Sequence, residues 1–252
     1  MKRLVRLFCL FLFLAASGCS SLRQAAQNQK CVLNADRPYD VVEIDPERHV
    51  VRLYWTDPQG QPFLTIKRFR EWMANQPDSL VAATNGGIYE PGYVPTGLFV
   101  EDGTVRIPLN LRNGDGNFYL KPNGVFALTA GGVLVVEASE FEFVTDSVQY
   151  ALQSGPLLVD RGTINPAFNR GSANCRLRSG IGVRGDGHAF IAISNGAVNF
   201  FDFATFFRDN LGCEEALYLD GAISSLWAPG IGRFEQSSKR YAGILAVLAK
   251  NL

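Results

Sequence analysis

Short apolar runs, each stopped by glycine or proline, recur from about residue 38 to the C-terminal end. The 25 glycines and 12 prolines are spread among these runs rather than gathered in one linker. Such punctuation suits brief strands joined by turns, with few helices among them. Residues 39–44 and 49–55 read as strands about an Asp45-Pro46-Glu47-Arg48 turn. Asp102-Gly103 marks a hairpin between two more. Further strand-like runs fall at 118–120, 125–128, 133–137, 150–153, 157–159, 180–183, 189–193, 216–219 and 241–248. Helices are expected only at 69–75 and 203–211. The reading is an α+β fold: one strand-rich domain over residues 38–252, with a mixed β-sheet and a few helices.

Apolar residues make up 47% of the chain and charged residues 19%, the usage of an ordinary globular protein. A disordered chain and a collagen-like repeat are therefore excluded. The 24 basic groups are matched by 24 acidic ones, so no general positive field exists for nucleic acid, and no nucleic-acid partner is expected. The balance is uneven along the chain. Residues 1–18 carry Lys2, Arg3 and Arg6 and no acid, so the remainder is three charges negative.

That leader reads as a secretory signal: a basic head, then an apolar run too short to span a bilayer. Ala16-Ser17-Gly18-Cys19 follows and resembles a bacterial lipobox, in which Cys19 is lipidated and becomes the mature N-terminus. Residues 1–18 are thus expected to be a lipoprotein signal and 19–37 a polar tether. The product would be exported, anchored by Cys19 to a membrane and facing the periplasm. Cys31, Cys175 and Cys213 then remain in an oxidising compartment. Cys175–Cys213 is the preferred pair, because Cys31 lies near the tether.

Two tempting motifs are set aside. Gly180-Ile181-Gly182-Val183-Arg184-Gly185 fits G-x-G-x-x-G, but an apolar strand follows it where a dinucleotide site needs a helix, so a β-hairpin is expected. His49 and His188 stand far apart, which argues against a histidine metal site.

Four segments share one design, an apolar strand ending in glycine beside a polar side chain. They contain Asn85-Gly86-Gly87, Gln153-Ser154-Gly155-Pro156, Arg178-Ser179-Gly180 and Leu219-Asp220-Gly221. Glycine there lets a ligand approach the backbone closely. Asn85, Arg178 and Asp220 are the polar groups expected around one pocket. Arginine suits phosphate or carboxylate, and aspartate serves as acid, base, nucleophile or cation ligand.

These segments, in this order, resemble the phosphodiester glycosidase family. The matching marks are Asn85-Gly86-Gly87, Gly155-Pro156-Leu157-Leu158, Arg178 in R-S-x-x-G-V form, and Leu219-Asp220-Gly221 followed by Ser224. Residues 116–126 and 199–204 resemble an exported bacterial branch of it. One departure is Ala222, where the family commonly carries a second glycine.

The resemblance implies a phosphodiester glycosidase-like fold and hydrolysis of a sugar-1-phosphodiester or a related cell-envelope glycan. Asp220 would be the leading carboxylate, and Arg178 would hold the phosphodiester. Asn85 and Ser224 would orient hydroxyls or phosphate oxygens, and Tyr89 would stack on a sugar ring. Gly86, Gly87, Thr96, Ser154, Gly155 and Gly221 complete the expected substrate surface. Glu90, Asp160 and Asp202 are reserve carboxylates for the second acid a glycosidase usually uses. No cofactor is firmly implied, although Asp220 also suits a divalent cation such as calcium. The rival expectation is a non-catalytic envelope lipoprotein that binds glycans on the same fold.

Overall fold

A computed structural model describes residues 31–141, 147–234 and 238–250. The expected signal, the Cys19 anchor and tether residues 19–30 lie outside the described residues. No helix among the described residues is long and apolar enough to cross a membrane.

In chain order the strands are β1 (Val32–Leu33), β2 (Tyr39–Ile44), β3 (His49–Tyr54), β4 (Leu80–Asn85), β5 (Tyr89–Glu90), β6 (Val94–Pro95), β7 (Phe99–Glu101), β8 (Thr104–Ile107), β9 (Gly124–Thr129) and β10 (Gly132–Glu137). They continue as β11 (Tyr150–Ser154), β12 (Leu157–Asp160), β13 (Thr163–Ile164), β14 (Ser179–Val183), β15 (Ala189–Ser194), β16 (Gly196–Ala197), β17 (Glu215–Asp220), β18 (Leu226–Ala228), β19 (Arg233–Phe234) and β20 (Ile244–Ala249). Helix α1 is Ile66–Met73, and helix α2 is Phe200–Thr205, prolonged by a π-turn over Phe206–Asn210.

Three sheets enclose one core. Sheet I runs β10-β9-β11-β7-β8, sheet II β13-β12-β17-β14-β15-β2, and sheet III β19-β18-β4-β20-β3. Every pairing among the described residues is antiparallel, which corrects the expectation of a mixed sheet. Parallel neighbours need crossover connections of a dozen or more residues, and tight turns dominate here.

The period-2 alternation of the strands sets the layers. Phe126 and Leu152 of sheet I, Ile181, Ile191 and Leu217 of sheet II, and Leu245 and Val247 of sheet III all point into the shared core. Their neighbours point outward and are covered in turn. On sheet III, Ala83, Ile244, Ala246 and Leu248 pack under Ile66, Phe69 and Met73 of α1. On sheet II, Phe190, Ala216 and Tyr218 pack under Phe200, Phe203 and Phe207. Burial on both faces explains why these strands read as continuous apolar runs.

Several local expectations shift. Helix α1 starts earlier than 69 because the Thr65 side chain accepts from Arg68 N at 3.2 Å and caps it. Helix α2 starts at Phe200 because Asn199 accepts from Asp202 N at 2.8 Å. Residues 118–120 enter a 3-10 turn, Asn117–Tyr119, not a strand. The closing strand begins at Ile244 rather than 241, since Tyr241 N donates to Leu64 O at 2.9 Å instead of joining a ladder. Strands β2 and β3 do not pair; their turn carries the chain from sheet II to sheet III.

The G-x-G-x-x-G run is a β14–β15 hairpin, as expected. Its glycines have a packing reason: a Cβ on Gly182 would sit 2.6 Å from the Phe207 ring.

The cysteines pair differently from the expectation. Cys31 is bonded to Cys175, and Cys213 is free and buried. Burial pushes the Cys213 thiol up to about 12, so it is an inert core group. The end of the expected tether is accordingly part of the domain. Val32 and Leu33 pair with Ala197 and Gly196, next to the disulfide, and Arg37 reaches the buried Asp40.

Candidate active site

Strands from all three sheets end at one place. Strand β4 of sheet III ends at Asn85, β11 of sheet I at Ser154 and β17 of sheet II at Asp220, while β14 starts at Ser179 opposite Asp220. A bulge between Ser179 and Gly180 bends the pairing there.

A buried polar joint holds these ends together. The Asn85 amide donates to Ser179 Oγ at 3.2 Å and to Gly86 O at 3.0 Å, and its oxygen accepts from Ser225 N at 3.0 Å. Ser224 Oγ donates to Asp220 O at 2.8 Å and lies 3.2 Å from Ser179 Oγ. Ser154 Oγ donates to Leu219 O at 3.0 Å, which ties sheet I to sheet II. Asn85, Ser154, Ser179, Ser224 and Ser225 are all buried. Their hydrogen bonds are made within the protein, so Asn85, Ser154 and Ser224 shape the site from beneath.

Asp220 differs. It is half-buried, and the peptide N–H groups of Gly221, Ala222 and Ile223 all donate to its carboxylate. Burial pushes the carboxyl up to about 6; the three peptide donors and the Lys239 ammonium work against that rise. Tyr89 stands on the same side. Burial raises its phenol, and the Asp220 charge adds to the effect. Tyr89 Oη donates to Arg240 O at 2.9 Å, and its ring stacks on Tyr93 at 5.6 Å between centroids. A carboxylate, a tyrosine pair and a lysine therefore share one mouth.

The glycines expected at the site are close-approach positions. A Cβ on Gly86 would lie 2.9 Å from Gly243 O, and one on Gly87 2.8 Å from Gln153 O. On Gly155 it would meet the Asn123 side chain at 2.6 Å, next to the cis Gly155–Pro156 peptide. Gly87 lets the end of β4 lie against β11 of sheet I, while Gly86 and Gly155 admit neighbours of their own sheets, Gly243 and Asn123; the space is filled by the protein itself. Thr96 is buried, its carbonyl holding the Asn110 amide at 2.9 Å. Ala222 is exposed and has no positive φ, so alanine fits where the family commonly carries glycine.

Arg178 lies behind the mouth, 1% exposed. Its Nε donates to Val198 O at 2.8 Å and its Nη2 to Asn174 O at 2.9 Å. The guanidinium lies 3.5 Å from the centre of the Phe200 ring and also donates to the Tyr218 phenol. Its fork is spent inside the protein, so the expected grip on a phosphodiester is not displayed.

Among the reserve carboxylates, Asp202 accepts from the Asn199 amide at 2.8 Å within the α2 cap. Asp160 adjoins Arg161, and Glu90 is exposed in β5. Among the described residues, no group of three or more His, Cys, Asp or Glu side chains gathers to hold a metal ion.

Ser179, Ser225, Tyr218 and Lys239 also belong to this region and are not among the residues expected there from the motifs. Ser179 was within reach, since it follows Arg178 in the same strand start. Tyr218 shares the face of Asp220 by strand alternation. Lys239 carries no local mark.

A sequence profile of the phosphodiester glycosidase family matches residues 78–243, a span that contains every element of this joint. The chain belongs to that family. It is 36% identical over 187 residues to the uncharacterized protein YigE of Escherichia coli (strain K12), covering 74% of this chain and 73% of that one. In fold it resembles the catalytic domain of zebrafish N-acetylglucosamine-1-phosphodiester alpha-N-acetylglucosaminidase, auto-inhibited by its pro-peptide. That match has 13% identity over 90% of this chain and 93% of the other, at a TM-score of 0.50. A hypothetical protein from Synechocystis matches at 14% identity, over 88% of this chain and 61% of that one, with a TM-score of 0.52. At such identities the likeness concerns the fold alone.

Proposed function

We propose that this protein hydrolyses a sugar-1-phosphodiester of the cell envelope, with Asp220 as the catalytic carboxylate. The observation that carries the reading is the placement of Asp220: three sheets end around it, three peptide N–H groups hold it, and Tyr89 and Lys239 adjoin it. With its carboxyl near 6, Asp220 is ionised at neutral pH and suited to take a proton from water.

In this reading a water molecule attacks the anomeric carbon as Asp220 removes its proton. The bond from that carbon to the phosphate oxygen breaks, and the electron pair leaves with the phosphomonoester. A phosphomonoester leaves as a stable anion and needs no proton from a second acid. One well-placed carboxylate therefore suffices where an ordinary glycosidase needs two. Lys239, whose charge acts on Asp220, would meet the phosphate, and Tyr89 would offer its ring to the sugar.

The zebrafish neighbour's name supplies the first probe. Purified protein incubated with methyl N-acetylglucosamine-1-phosphodiester should release free N-acetylglucosamine, and Asp220→Asn should not. Binding without release by the wild type would make the protein a glycan binder and defeat the proposal. The reading also includes export and an anchor at Cys19. Cys19→Ser should then shift the protein from the membrane fraction to the soluble one.

A further inference from the structure

Arg178 presents a physical problem. Among the described residues it is the largest fully buried side chain, it is cationic, and none of its partners there is a carboxylate. Burial lowers the affinity of its guanidinium for its proton, the direction expected of a charge taken out of water. A group kept at such cost needs a structural reason.

Its partners supply one. Two carbonyls hold the guanidinium plane, Val198 O and Asn174 O, and the Phe200 ring closes one face. A further guanidinium N–H goes to the phenol of Tyr218, which is itself buried on the outer face of sheet II and stands edge-on to Phe200 at 4.9 Å. The exposed Asn117 side chain also donates to this phenol. With two side-chain donors, Tyr218 Oη is held in place.

That oxygen lies directly against the peptide that follows the catalytic carboxylate. A Cβ built on Gly221 would be 2.5 Å from Tyr218 Oη and 2.8 Å from Leu177 O. The Gly221 N–H in turn donates to Asp220 Oδ1. Any side chain at this position would collide with the phenol oxygen, so only glycine lets the chain pass this close to it.

We propose that Tyr218 is a positioning residue: clamped by Arg178 and Asn117, its phenol seats the Gly221 peptide and thereby aims the Asp220 carboxylate. Arg178 acts through Tyr218 and does not touch substrate. The proposal rests on Asp220 being the catalytic carboxylate, yet it makes a claim about Asp220 that is measurable without turnover.

The test is a carboxyl titration by NMR of protein labelled with ¹³C at aspartate side chains, with Asp220 assigned through Asp220→Asn. Tyr218→Phe keeps the ring and removes the oxygen that the peptide rests on. The Gly221 N–H then loses its seat, its bond to Oδ1 weakens, and the Asp220 midpoint rises from about 6 by half a unit or more. Turnover of the methyl phosphodiester should fall about tenfold in kcat with KM changed less than twofold. Asn117→Ala, made at an exposed side chain, should move the midpoint the same way by a smaller amount, and it serves if Tyr218→Phe does not fold. An unchanged Asp220 midpoint in the folded variants overturns the proposal, whatever the activity. A wild type without turnover but with the expected midpoint shifts defeats the hydrolase reading and leaves the positioning intact.

Discussion

Strand β17 begins and ends in a carboxylate, and its two ends are built differently. Burial pushes Glu215 up to about 7 at the start and Asp220 up to about 6 at the end. Glu215 accepts a single peptide donor, Arg161 N at 2.9 Å, and Asp160 and Glu214 push its proton affinity further upward. Asp220 collects three successive peptide donors and lies where three sheets finish together. A raised carboxyl thus marks only removal from water. What separates a candidate site from a buried acid is the set of preformed donors and the convergence of strand ends.

The largest expected effect is on catalysis. Asp220→Asn should lower hydrolysis of the sugar phosphodiester by about 10²–10⁴-fold, the range for a lost general base, while Glu215→Gln keeps wild-type rates. Equal losses in both variants would erase the contrast between the two ends. The pH profile comes next. Because Asp220 works ionised, kcat/KM should climb about tenfold per pH unit below a midpoint near 6 and level off above it. A profile that falls through that range would make Asp220 an acid.

The third effect is on the covalent tie beside the Asp220 end, which Glu215 lacks. Cys175→Ser should cost about 2–5 kcal/mol in urea unfolding. The smallest effect is on stability against pH. A raised carboxyl favours the fold while protonated, and that contribution is lost as pH climbs from the unfolded value of 3.8 through about 6. Asp220→Asn should therefore be more stable than wild type by about 1–3 kcal/mol at pH 8 and equal to it below about pH 4. Glu215→Gln should behave alike, with its gain appearing as pH climbs from 4.5 through about 7.

The contrast also explains what could be read from the chain alone. Leu219-Asp220-Gly221 and Asn85-Gly86-Gly87 announce themselves locally, because an apolar run closing on glycine and a polar group is how a buried strand reaches a surface. Treating four such endings as one pocket put Asn85 and Asp220 together, but it also counted Arg178, which lies behind them with its guanidinium bonded to the protein's own carbonyls. The fate of Arg178 was hidden, since its partners Val198, Phe200 and Tyr218 come from other turns of the chain and only packing brings them round the guanidinium. The disulfide was hidden for the same reason: Cys31 looks like tether until Val32 and Leu33 find Gly196 and Ala197. The antiparallel order of the sheets was open to inference from the scarcity of helices, which the expectation of a mixed sheet undervalued.

The Cys31–Cys175 bond has a mechanical meaning. Tension on the chain ahead of residue 31 would enter the domain at Cys175, through a covalent link, and would bypass the two-residue strand β1 that a modest force could unzip. Cys175 lies one residue from Asn174, whose carbonyl holds Arg178. A load carried along the N-terminal segment is thus delivered next to the clamp behind Asp220, so the stiffness of that loop and the aim of the carboxylate share one support.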